Sequence, residues 1–269
     1  MESQIVFLGT GGDSTVIGKQ LRAGGGFVVQ CNDLQLHIDP GPGSLKELKL
    51  NNINVRETTA LLVSHAHTNH ANDTKAIVEA MTLGGLDSRG VLVCNETSFS
   101  GTKEIAPIVN EFHKNCLERI IVIKPGQILG IGDVEITALP AYHSVPALGF
   151  KITTENFTLV YTGDTSYGEN LYSFYKNADI LVLNLVAPAG FKIEHNLNGE
   201  DAAKIIKKSK PRLAIITHFG IKMLNEDPMY QAREIHKKSG VTVIAAEDGL
   251  VINPKAYAIR KRQKRLSSF

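Results

Sequence analysis

Cysteine is scarce in this 269-residue chain: Cys31, Cys94 and Cys116 are the only three, none lies close to another, and there is no CxxC. That spacing argues against a disulfide framework or a cysteine metal site. The odd, sparse count fits free thiols packed as small apolar residues in a reducing cytosol. Long apolar runs are missing too; none reaches the roughly 18 residues that span a bilayer, so no membrane partner is expected. The start, Met1-Glu2-Ser3-Gln4, has no basic stretch leading into an apolar one and does not read as a secretion signal, which makes a cytoplasmic location the expectation. Fixed-period repeats, low-complexity linkers and breaks in composition are also absent. The simplest organisation is one domain over residues 1–254 followed by a basic C-terminal tail, 255–269.

Positive charge is short in the body of the chain. The net charge is +2, but Lys255, Arg260, Lys261, Arg262, Lys264 and Arg265 lie in the tail with no acid among them, so the first 254 residues carry −4. A globally basic face, the usual footprint of a nucleic-acid binder, is therefore lacking in the body. Nucleic acid remains a candidate partner through the tail alone, against the reading of a solvated terminus.

What the sequence does have is strand-length apolar runs alternating with helical patterns. Strands are expected at Gln4–Leu8, Gly26–Gln30, Leu34–Ile38, Thr58–Val63 and Val91–Cys94. A β-rich middle follows at Ile120–Ile123, Val134–Leu139, Leu148–Thr153 and Thr158–Tyr161, punctuated by Pro125-Gly126, Gly130 to Gly132 and Glu155-Asn156. Further strands are expected at Ile180–Val186, Leu213–Ile216 and Val241–Ala245. Helices are expected at Ser44–Leu50, Thr74–Met81 (capped by Asn72 or Asp73), about Glu200–Lys208 and around Met229–Lys238. This is an α/β pattern of sheets covered by helices.

The chemistry concentrates in Leu61-Leu62-Val63-Ser64-His65-Ala66-His67-Thr68-Asn69-His70. Three histidines follow a buried-type strand. In an extended loop, positions i and i+2 point the same way, so His65 and His67 can grip one ion while His70 reaches a place beside it. Other polar residues each close an apolar run: Asp39, His143, Asp164 and His218. Strand ends gather at one sheet edge, where α/β proteins build their sites. For Asp39, in Asp39-Pro40-Gly41-Pro42-Gly43, a turn role competes with a functional one. His37, His113 and His236 fall inside strand or helix patterns and read as structural or surface residues.

These motifs resemble the metallo-β-lactamase superfamily, in its branch of tRNase Z and cyclic-phosphate phosphodiesterases. The similarity runs from Phe7-Leu8-Gly9-Thr10-Gly11-Gly12 through Asp39-Pro40-Gly41, His65-x-His67-x-Asn69-His70, His143, Asp164 and His218 to Ala246-Glu247-Asp248-Gly249. The resemblance implies a four-layer αββα sandwich, two mixed β-sheets flanked by helices, with the site along one edge. It implies zinc, with Mn²⁺ or Fe²⁺ as alternatives, one ion on His65, His67 and His143 and another on His70 and His218. Asp164 bridges the two in this scheme, and Asp39 orients a ligand from behind. Water activated between the ions attacks phosphorus.

One position departs from the pattern. The family motif is HxHxDH, and its aspartate ligates the second ion and handles a proton; here that position is Asn69. An amide is neutral and cannot act as a base, so one firm ion and a weaker second one are expected. Asp73 is a substitute ligand if it does not cap the following helix. By the same resemblance His195, in the loop before a helix, protonates the leaving oxygen, against the reading of a solvent-facing histidine. tRNase Z carries its tRNA-holding arm between the positions of His143 and Asp164. Only 20 residues separate them here, so a small or cyclic phosphodiester or nucleotide is the expected substrate. Three alternatives stay open: an armless ribonuclease of the tRNase Z type, a mono-iron oxidoreductase, and a catalytically weakened nucleic-acid-binding protein. A homodimer is left open as well.

Overall fold

The computed structural model describes residues 3–258. Most of the expected basic tail, residues 259–269, lies outside them. In chain order the strands are β1 (Gln4–Phe7), β2 (Phe27–Cys31), β3 (Leu34–Ile38), β4 (Ala60–Leu62), β5 (Val91–Cys94), β6 (Arg119–Val122), β7 (Ile128–Ile131), β8 (Val134–Ala141), β9 (Ala147–Thr153), β10 (Thr158–Tyr161), β11 (Ile180–Ala187), β12 (Leu197–Asn198), β13 (Leu213–Thr217), β14 (Thr242–Ala245) and β15 (Val251–Ile252). They form two sheets, ordered β15-β1-β2-β3-β4-β5-β6 and β14-β13-β11-β10-β9-β8-β7, with β12 beside β11.

Both sheets are mixed in the same way. Neighbours are antiparallel from β15 to β3, then parallel from β3 to β6. They are antiparallel from β7 to β10, then parallel through β11 and β13 to β14. The hairpin between β2 and β3 turns on Asn32 and Asp33, both left-handed (φ 49° and 60°), as a two-residue turn requires. Parallel neighbours need crossovers, and helices supply several of them.

Successive side chains point to opposite faces of a strand, and in the central strands both faces are buried. In β4, Ala60 and Leu62 face the space between the sheets while Leu61 faces the helices outside. In β13, Leu213 and Ile215 point inward and Ala214 and Ile216 outward. One apolar cluster therefore lies between the sheets, including Phe7, Phe27, Phe150 and Ile152. A second seats Gly199–Ser209 and Pro228–Ser239 on the second sheet, and a third seats Ser44–Leu50 and Thr74–Thr82 on the first. Local signals fix the helix ends. The Asn198 side chain accepts from the amides of Glu200 and Asp201, and Asp227 caps a helix that has Pro228 in its first turn and Gly240 just past its end.

Two expectations need correction, and some short elements carried none. The glycines at 130 and 132 do not merely punctuate: Gly130 lies within β7, paired with Glu135. The one-turn helices Ser14–Gly18, Glu96–Ser100 and Glu111–Cys116 were not legible, being too short for a periodic pattern. Asp73 stands at the N-cap position of Thr74–Thr82, but its carboxylate makes no cap bond; it accepts instead from the Gly43 amide (3.0 Å) and the Asn72 side chain (2.9 Å). The packed chain also runs past residue 254, since Tyr257 and Ala258 touch the core between the sheets. Among the described residues no helix is long and apolar enough to cross a membrane.

His37, fully buried on β3, has Nε2 3.1 Å from the Gly25 carbonyl oxygen and no partner at Nδ1. Burial lowers its pKa from 6.5 to about 4, against the upward pull of that hydrogen bond. Below pH 6.5 the unfolded chain takes up a proton that the folded protein refuses. The stability from this site is full above pH 6.5 and is lost as the pH falls toward 4, by up to about 3 kcal/mol. Denaturant unfolding of metal-free protein at several pH values checks this. His37→Gln keeps a donor for Gly25 but does not titrate, and is expected to flatten the acid loss; an unchanged acid profile would contradict the assignment.

Candidate metal centre

The ends of β3, β4, β10 and β13 come together at one edge, carrying polar residues just beyond their apolar runs. Asp39 follows β3 in a left-handed conformation (φ 50°), with its amide bonded to the Leu62 carbonyl of neighbouring β4. Ser64, His65 and His67 continue β4, and His70 lies on the single turn Thr68–Ala71. His143 lies just beyond β8, Asp164 beyond β10, and His218 beyond β13, itself left-handed at φ 64°. Only glycine fits at 12 and 41: a Cβ at Gly12 would strike the His218 carbonyl, and one at Gly41 the carbonyls of Gly24 and Asn69.

Seven residues, His65, His67, Asn69, His70, His143, Asp164 and His218, converge. His67 Nδ1 lies 3.0 Å from His65 Nε2 and 3.1 Å from His143 Nε2. His70 Nε2 lies 2.9 Å from His218 Nε2. The Asp164 carboxylate stands between the two groups, 3.3 Å from His70 Nε2, 3.5 Å from His218 Nε2 and 3.9 Å from His143 Nε2. The donor atoms of His65, His67 and His143 all lie within 4.8 Å of one another, as do those of His65, His70 and Asp164, so each group can hold a metal ion. Asn69, the seventh residue, has Nδ2 3.0 Å from both the Gly12 carbonyl and His218 Nε2.

Whether these residues suit a cation can be judged from their outer hydrogen bonds, which set the tautomers. His143 Nδ1 donates to the backbone carbonyl of His195 at 2.6 Å, leaving Nε2 with a lone pair when the ring is neutral. Asp39 Oδ2 accepts from the Ser64 hydroxyl (2.7 Å), so Ser64 Oγ accepts from His65 Nδ1 (3.0 Å), and His65 Nε2 also turns a lone pair inward. Between His65, His67 and His143, three facing nitrogens then share at most one hydrogen. Lone pairs at about 3 Å repel, and a divalent cation among them turns the repulsion into ligation.

Asp39 is the hub of the outer ring. Its Oδ2 also accepts from His70 Nδ1 (2.8 Å) and the Tyr161 hydroxyl (2.6 Å), and its Oδ1 from the Ser64 amide (2.7 Å). Asn184, in the fully buried run of β11, donates through one nitrogen to Tyr161 Oη (2.9 Å) and to Asp164 Oδ1 (2.7 Å), linking the two carboxylates.

The charges match this layout. Burial alone would lower the His70 pKa, but Asp164 and Asp39 outweigh it and hold it at about 10. Burial raises the tendency of Asp164 to stay protonated, yet His218 and His70 bring its pKa well below the carboxylate range. Burial pushes His65 and His67 down, and His218 to about 4. The pocket thus holds positive charge beside ionised Asp164 and keeps most of its imidazoles neutral, the form that ligates.

His195 lies outside this cluster. It is exposed and left-handed (φ 60°), with its ring centroid 6.4 Å from that of His143. With His67, Asn69, His143 and Asp164 it lines a cleft of about 530 Å³. Asp73 is not in the cluster. Sequence reading missed Asn184 and Asp13 and gave no role to Ser64, Tyr161 or Asp248; the carboxylates Asp13 and Asp248 pin the entry loops. Asp248 accepts from the Thr10 amide and hydroxyl and from the Ala23 amide; Asp13 caps Ser14–Gly18 and also accepts from the Ile221 amide just past His218. A polar Asn184 inside an apolar run was the one signal available for the buried partner.

Comparison with known proteins agrees with the geometry. A family model for the beta-lactamase superfamily domain matches residues 35–219. The Methanocaldococcus jannaschii protein MJ1374 is 34% identical over 255 residues, 94% of this chain and 95% of that one. The probable metallo-hydrolase YhfI of Bacillus subtilis is 26% identical over 74% of this chain and 82% of its own length. The YhfI crystal structure matches with a TM-score of 0.78 at 21% identity, covering 94% of this chain and 99% of that one. Ribonuclease Z of Methanopyrus kandleri is 24% identical over 94% of this chain and 99% of its own. The chain belongs to the beta-lactamase superfamily, and its two mixed sheets flanked by helices are the metallo-β-lactamase fold.

Proposed function

We propose that this chain is a metal-dependent phosphodiesterase acting on a small or cyclic phosphodiester. The observation that carries the reading is the set of inward-facing imidazole nitrogens around Asp164, with tautomers fixed from outside by Asp39, Ser64 and the His195 carbonyl. In this reading His65, His67 and His143 would hold one ion and His70 and His218 a second, with Asp164 within reach of both groups. Zinc suits the imidazole-rich set, with Mn²⁺ or Fe²⁺ as alternatives. Divalent ions held there would supply Lewis acidity, both to activate water and to offset charge on the phosphate oxygens. Asp39 keeps His70, and through Ser64 His65, in the ligating tautomer, while the His195 ring on the cleft wall gives a proton to the leaving oxygen. The likeness to a probable metallo-hydrolase and to a Ribonuclease Z supports a hydrolytic, phosphorus-directed activity. The chain between His143 and Asp164 is taken up by β9 and β10, which favours a small substrate over tRNA held by an arm.

Asn69 makes the two ion sites unequal. Its amide nitrogen points at the Gly12 carbonyl and His218, so it brings no negative charge to the second ion. After dialysis one ion per chain is expected to remain; two ions held with equal affinity would refute the inequality. Asn69→Asp is expected to tighten the second site by about tenfold, a gain limited by loss of the Gly12 bond. Hydrolysis of bis-p-nitrophenyl phosphate that returns with added divalent ion tests the activity itself.

His195→Gly separates ring from backbone. Glycine accepts the left-handed conformation and keeps the carbonyl that orients His143. Metal content is expected to hold while turnover drops by about a hundredfold or more; full turnover in this variant would take the ring out of the mechanism.

A further inference from the structure

The cleft over the histidines has a distinct wall chemistry. Ile17 and Pro42 give it apolar surface, Ser144 and Asn196 polar groups, and Glu194 a carboxylate directly before His195. No lysine or arginine among the described residues lines it. Its volume, about 530 Å³, lies in the range of small-molecule sites. The body of the chain repeats the pattern on a larger scale, with −4 over residues 1–254. Negative charge entering this cleft is met favourably at the histidine cluster and unfavourably at Glu194.

Resting on the phosphodiesterase reading above, we propose that the cleft takes a phosphodiester with no negative charge beyond that on its phosphate, and that Glu194 is the residue that turns a second charge away. A phosphodiester carries one charge near neutrality. Hydrolysis breaks the phosphorus–oxygen bond to one arm, whose oxygen takes a proton and leaves as an alcohol. The oxygen of water stays on phosphorus, giving a phosphomonoester that carries about −1.5 to −2 at pH 7. The wall that admits the substrate therefore opposes the product. Selectivity against charged arms and easy release of the phosphomonoester follow from the same carboxylate. An RNA strand, with a charge on every neighbouring phosphate, is the substrate this wall disfavours most.

Two pairs of probes test this on the metal-loaded full chain at low salt. The first is bis-p-nitrophenyl phosphate against p-nitrophenyl p-carboxyphenyl phosphate, which differ by one charge on an arm. The second, inert to hydrolysis, is diphenylphosphinate against its p-carboxy derivative, with binding measured by calorimetry. Wild-type protein is expected to favour the uncharged arm by about fivefold in kcat/KM and in affinity. Glu194→Gln should narrow that gap, and Glu194→Lys should close or reverse it; both changes are at an exposed position where folding is undisturbed. Preference for the carboxylated probes, or a gap that Glu194→Lys leaves unmoved, overturns the proposal. If neither diester is hydrolysed but the phosphinates still show a gap that follows Glu194, charge selection stands and the phosphodiesterase reading fails. Hydrolysis of both diesters at equal rates fails the charge selection alone.

Discussion

Asp164→Ala is expected to lower kcat/KM on bis-p-nitrophenyl phosphate by at least about a thousandfold, some 4 kcal/mol of transition-state stabilisation. The reason is position. Among the described residues Asp164 is the only carboxylate reaching both histidine groups, at 3.3, 3.5 and 3.9 Å from His70, His218 and His143. Its removal leaves five buried or half-buried imidazoles without the charge that would neutralise a bound dication, so the loss should show in metal content as well as in rate. Asn184 would keep its bond to Tyr161, which limits damage to the fold. Metal analysis with steady-state kinetics decides the matter: a variant keeping a tenth of wild-type activity would remove Asp164 from the proposed ligand set.

Asp39→Asn comes second. Three donors meet at Oδ2, from Ser64, His70 and Tyr161, so the amide oxygen must take that place. The amide NH₂ is then forced against the Ser64 amide N–H, donor against donor, in a buried spot. A clash of that kind costs about 1–3 kcal/mol of stability. Metal affinity should drop by about ten- to a hundredfold, because His70 and, through Ser64, His65 are no longer held in the ligating tautomer. Ser64→Ala cuts only the His65 branch and should fall between wild type and Asp39→Asn. Competition with a chromophoric chelator ranks the three; wild-type affinity in Asp39→Asn would show that the tautomers are set elsewhere.

The first contacts of the centre were legible in the sequence because each carries its own mark. His65, His67 and His70 form a dense motif, and Asp39, His143, Asp164 and His218 each interrupt the chain where an apolar run stops. Burial on both faces was legible too, since β4 and β13 are apolar throughout, but which side faces the other sheet was not, because neither strand alternates in polarity. Nor was the outer ring. Ser64 and Tyr161 look like ordinary flanking residues until β3, β4 and β10 bring them to one carboxylate. Asn184 is 20 residues from Asp164 along the chain, and only the parallel pairing of β11 with β10 makes them neighbours. The backbone contribution of His195 has no sequence signature, because any residue owns a carbonyl. One-turn helices and the short β7 escaped because they hold too few residues to repeat a pattern.

The mirrored build of the two sheets bears on more than chemistry. Asp39, His65, His67 and His70 all come from the first sheet and its loops, while His143, Asp164 and His218 come from the second. An ion seated among them would act as a rivet between halves joined elsewhere by apolar packing and a few hydrogen bonds such as Tyr161 to Asp39, so metal loading would also be folding energy. Stripped of metal, the molecule should loosen first along that seam: amides next to Ser64, Gly163 and Phe219 would exchange faster, while those in the hairpin of β2 and β3 keep their protection.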